Sequence, residues 1–534
     1  MKLKGKLALF LVVLIVTSLL AGCKSSKNTS ATSNKTSTNQ VVHLKAIVVK
    51  HALTKDVNKM EWLTKMEKDA GVEITWQQIS SDWDQKKGTL LASGDIPDLI
   101  IGPGAITDSD FSQFPGLFQD LTPLIEKYAP NIQKMFSEHP ELKEMSTQPD
   151  GKIYGLPKYQ RFWPKTATRQ YINKVWLNKL GLKEPTNWDE LYNVLLAFKT
   201  KDPNGNGKTD EIPMDWAPGT GFFNAQVMLG GEGITLSGPN GFYVDNGVVK
   251  NFYIDERYKK LVEFLHKLWS AGLINPEVFT QDYTHYQNLT RSPDAPRVGF
   301  TFGWMASDRF GPKWASQYES LPPLKPFADY TGRITWEYDY NSLNYGTNMV
   351  VMSAKCKNKE AAMKFIDQFY NPVNSIQVLF GSIGPNIRDN GDGSYTVLPP
   401  KDPNMDAGTW KWTSTLADNG PMYISDSIKL KLPSDPGNVI AETKVLDPYL
   451  NQIDPKKDVW PGIYIKFNSA DNMRIATLQT NLNNLTYSKW SQWIVKGGID
   501  KEWNSYIEQC KKAGLDEITK IMQKYYDKWK AANN

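Results

Sequence analysis

The sequence predicts an α/β protein of at least two domains, and three observations support this. Short β-rich segments alternate with helical segments, which is typical of βαβ units with a parallel sheet. About 490 residues follow a polar initial segment, more than the ~250–300 at which a single core stops growing. Hydrophobic residues make up 40% of the chain, as in ordinary globular proteins.

The start of the chain predicts export and a lipid anchor. Three lysines among the first six residues precede an apolar run at 7–20, which is shorter than the ~18–20 residues that span a bilayer. We therefore interpret 1–22 as a signal peptide. Cys23 follows Leu-Ala-Gly, which resembles the lipobox of bacterial lipoproteins and implies cleavage before Cys23 and attachment of lipid (palmitate) to its sulfur. The alternative is an ordinary signal peptide with an incidental cysteine.

Residues 23–40 are almost all Ser, Thr, Asn and Lys, and such a segment forms a flexible tether. No later segment is long and apolar enough to span a membrane. We therefore expect a protein anchored by lipid on the extracellular face of the cell membrane. The polar tether favours a Gram-positive surface.

Charge and cysteine content narrow the functional classes. The net charge of +5 is small for this length and gives no reason to expect nucleic-acid binding. We expect a monomer.

Cys356 and Cys510 allow a disulfide in an oxidising compartment, but two distant cysteines favour free thiols. The five histidines show no metal-ligand spacing.

The first predicted elements are strands at 41–50, 72–80 and 96–102, with helices at 58–71 and 81–95 between them. A helical region follows at 116–136, and residues 150–159 are rich in turn signals. The second set comprises helices at 187–200 and 256–272, a strand at 296–304, a strand–turn–helix at 346–371, and two C-terminal helices at 499–530 split at Gly514.

Four segments resemble family 1 extracellular solute-binding proteins, the sugar-capturing lipoproteins of ABC importers: SGDIPDLIIG, DGKIYGLPKY, NKVWLNKLGLKEPTNWDELYNVLLAF and GGIDKEWNSYIEQCKKAGLDEI. The resemblance covers nearly the whole chain after the tether. Within the family, the chain length and an acidic loop at Asp202 are most similar to the alginate-binding type.

This resemblance implies a two-lobed periplasmic-binding-protein-like fold of type II, with a hinged cleft between the lobes. The expected division is an N-lobe at 41–157 and 346–400 and a C-lobe at 158–345 and 401–534. The resemblance also implies capture of an oligosaccharide in the cleft and its delivery to the permease subunits of an ABC transporter, without catalysis.

The loop at 202–213, DPNGNGKTDEIP, predicts a structural calcium site. Counted from Asp202, the spacing matches the first nine positions of an EF-hand loop, with Gly207 at the sharp turn. The predicted ligands are Asp202, Asn204, Asn206, the carbonyl of Lys208, Asp210 and Glu211. An EF-hand has Glu at position 12, where this chain has Pro213; Glu211 replaces it, as the resemblance to the alginate-binding type implies. The alternative is an Asx-rich turn without an ion.

Aromatic rings cover the faces of sugar rings, and planar polar groups bind their hydroxyls. Segments near the expected crossing points and strand ends supply candidate ligand-binding residues: Lys50, His51, Tyr159, Arg161, Trp163, Trp216, Trp304, Arg309, Trp336, Trp410 and Trp412. The arginine guanidinium groups are candidates for binding a uronate carboxylate.

Structural alternatives apply to the same residues. Tryptophan and tyrosine are mostly buried packing residues, and Trp62, Trp76, Trp176, Trp188, Trp269 and Trp503 are interpreted as core. Arg161 and Arg309 are equally compatible with salt bridges. The acidic segment at 388–397 is interpreted as a hairpin turn rather than a second calcium site.

Two other functional classes stay open at this stage. A polysaccharide-degrading enzyme needs two carboxylates on either side of the sugar, and the spacing of acidic residues does not exclude it. A peptide-binding or sensor-linked lipoprotein is the other alternative. No catalytic signature appears, so capture without chemistry is the leading hypothesis.

Overall fold

The structure is a computed structural model, and it describes residues 41–219, 222–403, 405–432 and 434–533. The predicted signal peptide 1–22, the lipid-bearing Cys23 and the tether 23–40 lie outside these residues. The strands are β1 (Val42–Val49), β2 (Val72–Ile79), β3 (Leu99–Ile101), β4 (Gly155–Tyr159), β5 (Arg169–Asn173), β6 (Ile212–Met214), β7 (Phe242–Asp245), β8 (Val248–Asn251), β9 (Val298–Gly303), β10 (Tyr318–Leu321), β11 (Tyr345–Met352), β12 (Ile387–Asp389), β13 (Ser394–Val397) and β14 (Lys429–Lys431).

The helices are α1 (Glu61–Ala70), α2 (Trp83–Ser93), α3 (Asp108–Gln113), α4 (Thr122–Tyr128), α5 (Pro130–Glu138), α6 (Pro140–Ser146), α7 (Lys174–Leu180), α8 (Trp188–Thr200), α9 (Glu256–Ser270), α10 (Tyr283–Thr290), α11 (Ala306–Trp314), α12 (Tyr340–Asn344), α13 (Lys359–Gln368), α14 (Pro372–Phe380), α15 (Ala407–Ser414), α16 (Ser434–Thr443), α17 (Asp447–Leu450), α18 (Ser469–Lys496), α19 (Ile499–Lys512) and α20 (Leu515–Ala532).

The first large sheet has the strand order β2-β1-β3-β11-β4. Strands β1, β2 and β3 are parallel, with Val42 opposite Val72 and Ala46 opposite Leu99. The predicted βαβ units are therefore confirmed. Strand β11 runs antiparallel to both β3 and β4, so the complete sheet is mixed.

Local sequence explains the first βαβ unit. Helix α1 ends at Gly71, whose left-handed backbone (φ 69°) lets its N–H bond to the carbonyls of Glu67 and Lys68. Strand β2 begins at the next residue. One hydrophobic core, which includes Leu44, Ala46 and Val48 of β1, packs against this sheet.

The second large sheet has the order β10-β5-β9-β6, and all six residues of β9 are buried. A separate core surrounds it and includes most of the buried residues of the C-terminal helices. The tryptophans interpreted as core are confirmed as such: Trp62, Trp176, Trp188 and Trp503 are buried, and the partly buried Trp76 and Trp269 pack against the same cores.

Three further predictions are confirmed. The segment at 388–397 lies in an antiparallel hairpin of β12 and β13, with Arg388 opposite Thr396. The two C-terminal helices are separated at Gly514, as predicted. Cys356 and Cys510 are buried free thiols.

The structure differs from the prediction at two places. Residues 155–159 form a buried strand in place of a turn. Helix α18, of 28 residues, was not predicted; its buried face includes the polar residues Gln479 and Thr486, which interrupt the apolar periodicity. Leu416, Met422 and Ile428, which follow the expected end of the N-lobe at residue 400, pack into the core of the first sheet.

Candidate ligand-binding pocket and calcium loop

The ends of the strands from the two sheets define the candidate site. In the first sheet, the carboxyl ends of β1, β3 and β4 lie at one edge together with the start of β11, as their pairing requires. In the second sheet, Arg169 at the start of β5 lies opposite Gly303 at the end of β9. The segment 160–168 connects the two edges. Ligands of open α/β sheets bind at such edges.

A concave pocket lies beside this connecting segment. Its lining is mainly aromatic and aliphatic and comes from the connection between the sheets, from the end of β9 and from α14 and α15. It comprises Trp163, Trp304, Met305, Phe380, Val397, Leu398, Ala407, Gly408, Trp410 and Lys411. Three of the predicted ligand-binding tryptophans therefore share one pocket.

Trp163 is fixed by contacts on several sides. Its backbone N–H donates to Asn344 Oδ1 at 3.0 Å, and its indole Nε1–H donates to Asp418 Oδ1 at 3.2 Å. The ring meets Trp304 edge-on with centroids 5.3 Å apart, and Lys411 Nζ lies 4.8 Å from the ring centroid. Trp163 therefore forms a rigid wall and has only 7% of its surface exposed.

Trp304 is half-buried at the end of β9. The Arg169 guanidinium carbon lies 5.0 Å from its ring centroid, and Arg169 Nη1 donates to the Trp304 carbonyl at 2.5 Å. Arg169 is itself fully buried and also donates to Thr443 Oγ1 at 2.9 Å. The second sheet thus holds Trp304 by both its ring and its backbone.

Asp418 links this wall to the first sheet and was not singled out from the sequence. It accepts from Lys411 Nζ and Gln160 Nε2, each at 2.8 Å, and Lys158 Nζ of β4 lies 3.9 Å away. Burial acts to raise the pKa of Asp418, but the ammonium groups of Lys411 and Lys158 outweigh it and hold the pKa well below its ordinary value.

Trp410 and Trp412 lie on α15. Asp406 caps the start of this helix, because its side chain accepts a hydrogen bond from the Thr409 N–H at 2.8 Å. Trp410 lines the pocket. Trp412 stacks on His51 with centroids 4.3 Å apart, so the turn after β1 reaches this helix. Burial, and then the charge of Lys411, lower the pKa of His51, which favours a neutral ring.

Tyr159, Arg161 and Lys50 lie near the same sheet edge, but other contacts occupy them. The Tyr159 ring packs between His139 and Tyr345, with centroids 4.5 and 5.2 Å away. Arg161 binds Asp426 at 3.1 Å, which confirms the alternative of a salt bridge for that residue. Lys50 donates to protein oxygens through its ammonium group.

Three predicted ligand contacts have at most 1% of their surfaces exposed in this structure. Trp216 and Trp336 have 1% and 0% of their surfaces exposed and belong to the core around the second sheet. Arg309 is paired with the fully buried Asp215 at 2.8 Å and lies over the Tyr286 ring. An isolated sequence position does not reveal such packing, because the partners come from distant segments.

The loop at 202–213 is curled as the EF-hand spacing predicts. Asp202 Oδ1 accepts from the Gly205 N–H at 2.9 Å, and Asp202 Oδ2 accepts from the Gly207 N–H at 3.0 Å. The amides of Asn204 and Asn206 donate to Asp210 Oδ1 at 3.1 and 3.0 Å. Gly207 adopts φ 73°, the left-handed conformation required at the sharp turn.

Glu211 provides the test of whether a cation fits. Both of its carboxylate oxygens are buried and have no hydrogen-bond partner. Burial raises the pKa of Glu211; the backbone N–H groups of Glu211 and Asn204 act to lower it, and the charges of Asp202 and Asp210 act to raise it. In the described part of the chain, no three His, Cys, Asp or Glu side chains converge as a metal centre. A cation in this loop would therefore also need the side-chain oxygens of the asparagines and the Lys208 carbonyl as ligands. The two Glu211 oxygens, which have no hydrogen-bond partner, are suited to bind a hard divalent ion.

Comparisons with known proteins define the class. The family model of bacterial extracellular solute-binding proteins matches residues 51–374, and this chain belongs to that family. The chain is 31% identical over 494 residues to FusA of Streptococcus pneumoniae serotype 4, a fructooligosaccharide ABC transporter substrate-binding protein, covering 90% of this chain and 89% of FusA.

Solved structures agree with this family. FusA in complex with kestose has a TM-score of 0.83 and 30% identity, covering 92% of this chain and 100% of FusA, and FusA has also been solved as an EF-hand mutant with fructo-nystose. An HMO-binding, ABC-transporter-associated solute-binding protein of Bifidobacterium longum infantis has a TM-score of 0.81 and 33% identity, covering 92% of this chain and 99% of that one.

Alginate-binding AlgQ2, solved without calcium ion, has a TM-score of 0.69 at 22% identity over 92% of this chain and 99% of AlgQ2, which shows the fold alone. The predicted two-lobed, type II binding-protein fold is thus confirmed, and the relatives are binding proteins, not enzymes. In the described residues, no helix has the length and apolar character to cross a membrane.

Proposed function

We propose that this protein captures an oligosaccharide between its lobes and delivers it to the permease of an ABC transporter. The observation that carries the proposal is the pocket in which Trp163, Trp304 and Trp410 converge beside the connection between the two sheets. Indole rings bury the apolar C–H faces of sugars while leaving the hydroxyls at the edges accessible to polar groups. The names of FusA and of the HMO-binding protein support the same ligand class.

Capture requires that the ligand favour a closed arrangement of the lobes. A ligand shifts a hinge equilibrium only by binding one state more tightly than the other. The pocket meets this requirement because its wall combines Trp304 from the second sheet with Phe380 and Val397, which belong to the core of the first. A ligand in contact with both groups is bound fully only when the lobes are together.

The test is calorimetric titration of the purified protein with oligosaccharides, combined with small-angle X-ray scattering and analysis of the recovered sugar. We expect saturable binding, a smaller radius of gyration in the complex, and sugar recovered unchanged. Absence of binding across a broad glycan panel, or the appearance of new reducing ends or unsaturated products, would contradict the proposal.

The lobes themselves are proposed as follows. The N-lobe comprises 41–157 and 346–432, and the C-lobe comprises 158–345 and 434–533. The second segment of the N-lobe is extended beyond residue 400 because Tyr423 lies beside Tyr159 of β4 and β14 pairs with β13. Limited proteolysis that releases fragments near residues 158, 346 and 432 would support these boundaries.

Calcium is proposed as a structural ion held by Asp202, Asn204, Asn206, the Lys208 carbonyl, Asp210 and Glu211. When bound, the ion supplies positive charge to three carboxylates that otherwise repel one another. The loop leads into β6 and the buried Trp216, so ordering the loop braces the edge of the second sheet. The EF-hand mutant of FusA supports a comparable loop in that relative.

Membrane attachment is proposed through lipid on Cys23, with 1–22 removed and 23–40 as a tether. Two or more acyl chains give stable anchoring, whereas one gives only marginal binding. Metabolic labelling with an alkyne palmitate analogue should label the wild-type protein and not Cys23→Ala. Unlabelled wild-type protein, or equal labelling of both proteins, would contradict the anchor.

A further inference from the structure

The cation in the pocket wall is already neutralised by the protein. Lys411 is the one Lys or Arg among the described residues that line the pocket, and its ammonium group donates to Asp418 at 2.8 Å. The same group lies 4.8 Å from the Trp163 ring centroid and 5.3 Å from that of Trp412. A ligand carboxylate approaching Lys411 therefore also approaches the carboxylate of Asp418, and it gains little net attraction.

Two neighbouring cations are engaged with protein oxygens. The ammonium group of Lys50 has three hydrogens, and it donates at 2.8 Å to each of the Thr54 and Lys55 carbonyls and at 2.9 Å to Gln78 Oε1. Arg161 donates to the carbonyls of Ser425 and Ile428 and pairs with Asp426. Neither residue presents a forked pair of free donors, which is the arrangement that binds a carboxylate well.

Two carboxylates lie near Gly408 of α15, the helix that also carries Lys411. A methyl group placed on Gly408 would lie 3.1 Å from Asp406 Oδ1 and 3.6 Å from Asp308 Oδ1. Arg291 lies 3.6 Å from Asp406 and balances one of them. Burial, and then the charge of Asp406, raise the pKa of Asp308, whereas Arg291 acts to lower it.

From these contacts we infer that the pocket takes an uncharged oligosaccharide and discriminates against uronic and sialylated ones. This inference rests on the proposed capture of an oligosaccharide and specifies its class. Aromatic and aliphatic groups supply the contact area, and the described residues of the lining include no unpaired Lys or Arg to recognise a carboxylate. An acidic sugar would lose its hydration there without gaining a charge-assisted partner.

The test is a carbohydrate microarray that carries uncharged, uronic and sialylated oligosaccharides of similar length, probed with the full folded chain after the tether in calcium. Hits are then titrated by calorimetry in about 20 and about 300 mM NaCl, since screening weakens attraction between charges but not apolar stacking. We expect hits among uncharged glycans, a Kd that changes less than about twofold between the two salt concentrations, and acidic analogues that bind at least about tenfold more weakly.

The possible outcomes separate the two proposals. Preferential binding of a uronic or sialylated glycan, with a Kd that rises steeply with salt, overturns the inference while leaving oligosaccharide capture intact. Equal binding of a neutral glycan and its acidic analogue also overturns the inference. No hit in any class overturns the proposed function and the inference with it.

Discussion

The indole rings of Trp163 and Trp304 meet edge-on, with their centroids 5.3 Å apart and their planes at 78°. Trp163 belongs to the segment that leaves the first sheet, and Trp304 follows a central strand of the second. This edge-to-face contact therefore ties the segment that connects the two sheets to the end of β9 in the second sheet. A ligand that covers both rings stabilises the contact.

Trp304→Ala should weaken oligosaccharide binding by about 10- to 100-fold, because a lost aromatic contact area is worth roughly 1.5–3 kcal/mol. Calorimetric titration measures this change directly. Trp269→Ala is the matched control: Trp269 is also half-buried, but it packs on Phe279 and is not among the residues that line the pocket. An equal loss of affinity in both variants would show that Trp304 does not contact the ligand.

Asp418→Asn should destabilise the protein by about 2–3 kcal/mol, because it leaves Lys158 and Lys411 without their shared anion. The effect is smaller than the ~3–5 kcal/mol of a fully buried pair, since the Asp418 side chain is 25% exposed. Urea unfolding gives the free energy. Asp426→Asn serves as control, because that carboxylate is 64% exposed and pairs with Arg161 at the surface. Similar stabilities for the two variants would contradict this role of Asp418.

Local patterns predicted the first βαβ units and the curled loop at 202–213 because their information lies within a few neighbouring residues. The apolar alternation of β1 and the glycine that ends α1 are both adjacent to the elements they define. The loop at 202–213 likewise contains its own candidate ligands. No distant segment is needed to recognise either feature.

The pocket could be predicted only in part, because its central interaction joins distant positions. Asp418 and Trp163 are 255 residues apart, and no local signal marks Asp418 as the partner of an indole N–H. Arg309 follows Trp304 closely in sequence, but it forms a buried ion pair with Asp215, which is 94 residues away along the chain. Its side chain is therefore engaged in the core and does not line the pocket. Burial depends on these long-range pairings, and a single sequence does not show them.

Calcium should raise the melting temperature of the ligand-free protein, and EGTA should reverse the change. At a calcium concentration about 100-fold above Kd, the expected stabilisation is about 2.7 kcal/mol. Glu211→Gln should lose most of this stabilisation by calcium. In the wild-type protein the two buried Glu211 oxygens have no hydrogen-bond partner in the protein and are the proposed ligands of the ion, and the variant removes their negative charge. Differential scanning calorimetry measures the effect.

The hairpin at 388–397 supplies the control for calcium. Asp392→Asn also removes a carboxylate from a glycine-containing turn, but Asp392 accepts from the Ser394 N–H at 2.9 Å and its Oγ–H at 2.6 Å. That variant should keep the full calcium response. If wild-type protein melts at the same temperature in calcium and in EGTA, the loop does not bind the ion.

Acid should remove the stabilising contribution of Asp418. Its pKa in the folded protein is held below the ordinary carboxyl value of ~3.9, so the folded state binds its proton less readily than the unfolded state. The resulting stability is fully present above the unfolded pKa and is lost as pH falls through the folded one. The difference in unfolding free energy between wild type and Asp418→Asn should therefore be constant above about pH 5 and shrink below about pH 4. Urea titrations from pH 2.5 to 6, each variant against wild type in the same buffer, isolate this difference from other titrating groups. A difference that grows as the solution is acidified would show that the lysines do not hold this carboxylate in its charged form.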